Sequence, residues 1–180
     1  MGFFGYLGFM ECYHGVVSMT HFLEGQLTLN ETTIEFHHSK GYAEKDWGRS
    51  FPKAYVWFQS NHFSDITTSV LFSYADIPFM GRHFQGLIVN LLYQGKEYRF
   101  ATYNGAKITL EQVGDGRAEY RVKRGRYELE LLVASTVQTE LAAPRDGLMI
   151  ERIRLFHRGK LVYEDLGTQA GIEIMKSHKA

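Results

Sequence analysis

Turn signals punctuate this chain at short intervals and leave room for little but strands. Asn30-Glu31-Thr32, Gln94-Gly95-Lys96-Glu97, Gly114-Asp115-Gly116, Arg124-Gly125-Arg126 and His157-Arg158-Gly159-Lys160 each lie between runs rich in β-branched and aromatic residues. These runs read as strands over Cys12 to Ser18, Gln26 to Leu29, Thr33 to His37, Ala54 to Phe63, Thr68 to Tyr74 and Gly86 to Tyr93. Further runs cover Tyr98 to Tyr103, Lys107 to Val113, Ala118 to Lys123, Tyr127 to Val133, Ile150 to Phe156, Leu161 to Glu164 and Ile172 to Met175. Asn30-Glu31-Thr32 and Gly114-Asp115-Gly116 read as hairpin turns. Only Val137 to Ala143, ahead of Pro144, admits one or two helical turns. The expected class is all-β: an antiparallel barrel or sandwich. A barrel of about eight strands has an interior just wide enough for one small ligand.

A length of 180 residues suits a single domain, and 44% hydrophobic with 14% aromatic residues supplies an ample core. The formal net charge is zero, which gives no electrostatic footprint for nucleic acid. The basic run from Arg117 to Arg126 is interrupted by Glu119 and followed by Glu128 and Glu130, so it reads as the solvated face of a hairpin. The single Cys12 excludes an internal disulfide and a multi-cysteine metal site, and is compatible with a reducing compartment. The apolar start from Gly2 to Met10 lacks a basic flank and a cleavage site, so neither a signal peptide nor a transmembrane segment is expected. No phosphate-cradling loop or dinucleotide fingerprint occurs.

The chemistry is expected in the stretch from Gly41 to Phe63, where acids, bases and Trp47 abut a strand that mixes aromatics with amides. Alternation puts Tyr55, Trp57, Gln59, Asn61 and Phe63 on one face of that strand and Ala54, Val56, Phe58, Ser60 and His62 on the other. Aromatic walls with two amides suit a cavity for an apolar ligand with a polar head. The two amides serve equally well to satisfy backbone at a barrel end. The segment from Gly41 to Lys53 reads as a loop in which Glu44 and Asp46 flank Lys45. A carboxyl buried against aromatics stays protonated near neutrality and is able to protonate a double bond. The ordinary alternative pairs these acids with Lys45, Arg49 or Lys53 in structural salt bridges.

Among the eight histidines, His62 follows Asn61 and is placed to take a proton from a phenolic hydroxyl if the strand bulges or ends there. Glu11 with His14, and Glu35 with His38, have helical ligand spacing but sit in strand-like runs, so no metal site is expected. Cys12 and His14 share a strand face without any cysteine-nucleophile motif around them. Asp76-Ile77-Pro78-Phe79-Met80-Gly81 reads as an apolar loop able to cover a barrel mouth.

The run Gly41-Tyr42-Ala43-Glu44-Lys45-Asp46-Trp47-Gly48-Arg49-Ser50-Phe51-Pro52, followed by Trp57-Phe58-Gln59-Ser60-Asn61, resembles the signature of the tocopherol cyclase-like family. The resemblance extends to Phe9 through Ser18, Tyr98 through Lys107 and Gly167 through Glu173. Members usually carry an earlier Gly-Trp-Tyr-Phe-Lys segment, which is not found here, so the chain is expected to be the C-terminal part, or a shortened version, of a longer protein. The resemblance implies a lipocalin-like β-barrel. It also implies cyclisation of a prenylated quinol to a chromanol through protonation of the prenyl double bond, an intramolecular lyase (isomerase) reaction needing no metal or nucleotide cofactor.

On that reading, Asp46 or Glu44 is the acid and His62 a proton acceptor, both catalytic. Tyr42, Trp47, Trp57, Gln59 and Asn61 are the substrate-binding residues, with the indoles facing the cation. The expected partner is a hydrophobic small molecule, prenylquinol-like or another lipid. The alternative function is non-catalytic, lipocalin-like binding of an isoprenoid. An incomplete barrel would expose sheet edges through which copies associate.

Overall fold

A computed structural model of the chain describes residues 2–6, 8, 12–79, 82–114, 117–135 and 148–175. The expected helical turns at Val137 to Ala143 and the turn residues Asp115 and Gly116 lie outside the described residues. Nearly everything described is strand, and every strand pairing is antiparallel. Strands β1 (Cys12–Leu29) and β2 (Thr32–Gly48) pair only with each other, as a long ribbon. Strands β3 (Tyr55–Ser60), β4 (Ser69–Phe79), β5 (Arg82–Tyr93), β6 (Lys96–Ala101) and β12 (Gly171–Met175) form one sheet in the order β12-β3-β4-β5-β6. The other sheet is β11-β10-β9-β8-β7, built from β7 (Lys107–Gly114), β8 (Arg117–Arg124), β9 (Tyr127–Ser135), β10 (Leu148–His157) and β11 (Lys160–Gly167). The all-β expectation holds, in its sandwich form: neither sheet closes on itself.

The two five-stranded sheets bury their facing sides against each other. Alternation along β3 sends Val56, Phe58 and Ser60 inward, and the facing sheet answers with Tyr120, Val122, Leu129, Leu131, Ile153 and Leu155. At the centre, Phe58 stacks on Phe72 at 4.4 Å between ring centroids, and Phe72 meets Tyr120 at 4.4 Å from the opposite sheet. Each such fully buried side chain contributes roughly 1.5–3 kcal/mol of transfer free energy. The space between the sheets, where a barrel of this class would hold its ligand, is therefore filled by side chains.

The sequence runs at Cys12 to Ser18 and Gln26 to Leu29 are one continuous strand, and the expected loop after Gly41 is strand as far as Gly48. The Asn30-Glu31-Thr32 hairpin turn is present, with Leu29 opposite Thr32. Register shifts between Val16 and Ser18, Ser18 and His21, and Leu23 and Gly25 mark bulges along the ribbon. At one of these irregular places His38 adopts φ 55°, unusual for a residue with a side chain. Glu24 holds it there, accepting from the His38 amide at 2.9 Å and lying 2.8 Å from its Nδ1. The expected lid from Asp76 is instead the end of a hairpin, with Asp76 opposite Gln85 and Pro78 opposite His83.

Beyond β3, a polar clasp ties β11 to the following loop. Asp165 Oδ2 accepts from the Ser64 hydroxyl at 2.5 Å, the Ser64 amide at 3.0 Å and the Tyr163 hydroxyl at 2.9 Å, and Oδ1 accepts from the Leu166 amide at 2.8 Å. Partial burial pushes the Asp165 pKa up, but these donors together outweigh it and hold the carboxyl below its usual range.

Two outcomes are expected. Tyr120→Ala should cost about 3–5 kcal/mol of unfolding free energy in a urea melt, because it empties the centre of the aromatic stack. A carboxyl with a depressed folded-state pKa stabilises above its unfolded pKa and loses that contribution as pH falls through the folded value. The difference in melting temperature between the parent and Asp165→Asn should therefore be largest at neutral pH, begin to shrink at about pH 4, the unfolded Asp range, and go on shrinking as the pH falls further.

Candidate functional site

Filling the sandwich leaves the outer face of the β12-β3-β4-β5-β6 sheet to be covered by something else, and the ribbon crosses it. Between the two lies a cavity of about 420 Å³. The sheet supplies Tyr55, Trp57, Ser73, Ala75, Ile77, Phe84, Gly86, Ile88 and Glu173, residues that neighbour one another through the cross-strand register on that face. The ribbon supplies Cys12, His14, Glu44 and Asp46; Phe51 and Pro52 from the following loop and Tyr103 from the short 3-10 turn Thr102–Asn104 complete an apolar rim.

The ribbon register explains which acids face inward. His14 lies opposite Asp46 and Val16 opposite Glu44, so alternation turns Cys12, His14, Glu44 and Asp46 to one face. His14 Nδ1 and Asp46 Oδ1 are 2.7 Å apart. Tyr42, two residues before Glu44, donates its hydroxyl to Glu44 at 2.5 Å, and the Trp57 indole N–H donates to the same oxygen at 3.3 Å. Across the cavity, the Tyr55 hydroxyl donates to Glu173 at 3.0 Å. Burial, the hydrogen bond to Glu44 and the charges of Glu44 and Asp46 push the Tyr42 phenol far up. Burial, the hydrogen bond to Glu173 and the charges of Glu173 and Asp46 raise Tyr55. Burial and then Asp46 raise the Cys12 thiol, so all three hydroxyl and thiol groups keep their protons. Trp57 packs against Gly171, where a Cβ would stand 3.0 Å from the ring.

The expected site residues thus divide. Glu44, Asp46 and Trp57 meet at the cavity, and Tyr42 buttresses Glu44. Trp47 does not join them. It is one residue out of phase with Asp46, on the outer face of the ribbon, where it stacks on Tyr13 at 5.4 Å, receives Lys45 at 5.4 Å from its ring and is 47% exposed. Asn61 is buried past the end of β3, and its carbonyl accepts from Lys40 Nζ at 2.8 Å. His62 follows it outside the cavity lining; its pKa is lowered by burial and by Lys40. Gln59 is also absent from the lining. The expected salt bridges of Glu44 and Asp46 to lysine or arginine give way to bonds with Tyr42, Trp57 and His14.

His14, Glu44 and Asp46 offer ligand atoms within 4.8 Å of one another, a donor set compact enough for a cation. Spacing within one strand hid this group, since it forms across two. Glu173 and Tyr55 belong to the cavity as well; Glu173 closes the Gly167-to-Glu173 run that carries the family resemblance, but its spacing alone gives it no role. No helix among the described residues is long and apolar enough to cross a membrane.

Comparison with known proteins bears on this arrangement. A 76-residue segment is 30% identical to the probable chloroplastic tocopherol cyclase of Oryza sativa subsp. japonica, covering 40% of this chain and 16% of that protein. The crystal structure of kievitone hydratase from Nectria haematococca superposes with a TM-score of 0.50 over 92% of this chain and 54% of the hydratase, at 12% identity, a likeness of fold. This chain spans about half of the hydratase, and its matched segment a small part of the rice protein. Residues 1–163 match the tocopherol cyclase-like family as a whole, and the chain belongs to that family.

Proposed function

We propose that this protein protonates a double bond of a prenylated quinol held between ribbon and sheet, and that the ring hydroxyl then closes on the resulting cation to give a chromanol. The observation that carries this reading is the His14–Asp46 pair, 2.7 Å apart, in a cavity whose lining includes the apolar side chains of Phe51, Pro52, Ile77 and Phe84. A proton held between an imidazole and a carboxyl is transferable, and apolar walls exclude the water that would capture a carbocation. Asp46, with His14, is the acid. Trp57 supplies the cation-facing ring, taking over the role that the exposed Trp47 cannot fill. Glu44 fixes Trp57 and the Tyr42 hydroxyl and keeps a second carboxyl beside the first.

The family membership and the name of the rice relative agree with this chemistry. A second reading rests on the same cavity: its largely apolar wall would hold an isoprenoid without chemistry, at about 0.8 kcal/mol per buried methylene. Turnover separates the two. Incubation with a prenylated quinol should yield chromanol by chromatography, and Asp46→Asn should lower the rate by roughly 10²–10⁴, the usual worth of a general acid, with the melting temperature unchanged. Glu44→Gln should cost about tenfold, as its hydrogen bonds to Tyr42 and Trp57 weaken by about 1–2 kcal/mol in sum. Tight prenylquinol binding without any product would leave the binding reading standing alone.

No step here runs through a metal. Prolonged treatment with EDTA should leave the rate unaltered. A rate lost to chelation and restored by one divalent cation would reassign His14, Glu44 and Asp46 as ligands.

A further inference from the structure

Cyclisation takes one proton in and gives one out. The reading above uses the ribbon's His14–Asp46 pair for the first; nothing in it receives the second. The opposite wall of the cavity holds a group suited to that. Glu173, on the edge strand β12, faces Trp57 across the ladder and lines the cavity with Tyr55, whose hydroxyl donates to it at 3.0 Å. Of the carboxylates lining the cavity it is the one contributed by the sheet, amid Ser73, Ala75, Ile77 and Ile88. Among the described residues no lysine or arginine lines the cavity and no salt bridge to Glu173 is formed. A carboxylate facing an apolar chamber with a phenol for its partner costs desolvation that ordinary structural pairing would offset.

We propose that Glu173 is the proton-accepting residue of this cyclisation, with the Tyr55 hydroxyl as its relay. The proposal rests on the cyclase reading and completes it. The ribbon acid adds its proton to the less substituted alkene carbon, and the π pair becomes the new C–H bond. A lone pair of the ring hydroxyl forms the C–O bond at the cationic carbon. As it does, the hydroxyl proton passes to Tyr55, which delivers its own to Glu173. One proton enters the product and one leaves it, no electrons are exchanged, and solvent returns the two carboxyl groups to their starting states. Sheet and ribbon thereby act as opposite poles of one proton circuit.

Product partition in D2O tests this. Removing the acceptor leaves cation formation intact but slows ring closure. Glu173→Gln should therefore still incorporate deuterium, while the ratio of chromanol to diverted products (hydrated tertiary alcohol and isomerised alkene) falls at least about tenfold. Tyr55→Phe should move the ratio the same way by a smaller factor. Asp46→Asn should lose deuterium uptake and product together. If folded Glu173→Gln loses deuterium uptake as Asp46→Asn does, or keeps the parent ratio, the acceptor role is wrong while the cyclase reading survives. If the unaltered protein neither takes up deuterium nor forms chromanol, the cyclase reading fails and this inference goes with it.

Discussion

The aromatic contact between the two five-stranded sheets governs everything else in this molecule. Phe58 and Phe72 from one sheet and Tyr120 from the other pack against each other, fully buried, at the centre of the interior. Once the inner face of β3 is committed to that stack, the period of two in a strand sends Tyr55 and Trp57 to the outside. Large aromatic side chains on an outer face need a cover, and the β1–β2 ribbon provides it. The cavity lined by Tyr55 and Trp57 thus lies outside the sandwich, on the face that the packed core leaves over.

The division of labour at the site follows from the same geometry. A sheet bonded on both sides of β3 is the stiffer partner and presents the aromatic wall. The ribbon, paired along its length only with itself, presents His14, Glu44 and Asp46. Side-chain bonds such as Lys40 to the Asn61 carbonyl and Trp57 to Glu44 span the two. The carboxyl groups that matter are accordingly held by phenol, indole and imidazole donors rather than by lysine or arginine.

Much of this was legible in the chain. Turn residues and alternating runs sufficed for the all-β class, and the face of Tyr55 and Trp57 was correctly separated from that of Phe58. Glu44 and Asp46 stood out as candidate acids, but their common face was not legible, because the segment that carries them reads as a loop and is strand as far as Gly48. What was not legible is the register of the ribbon. Propagated without interruption from Leu29 opposite Thr32, it would set His14 against Trp47; the bulges shift it by one residue, to Asp46. That single step decides whether an acid or an indole meets the imidazole, and no local propensity encodes it. The strand does end at Ser60, as a role for His62 requires, yet Asn61 and His62 leave it away from the cavity lining, a path that no alternation rule predicts. Glu173 escaped notice because its meaning arises only from β12 lying beside β3, more than a hundred residues away in sequence.

Because acids and aromatic wall sit on separate pieces, the site is assembled by contact rather than carved from one element. On the proposed cyclase reading, lifting the ribbon would part the proton source from the alkene, so that admission of a bulky guest and suppression of unproductive ionisation would be one motion.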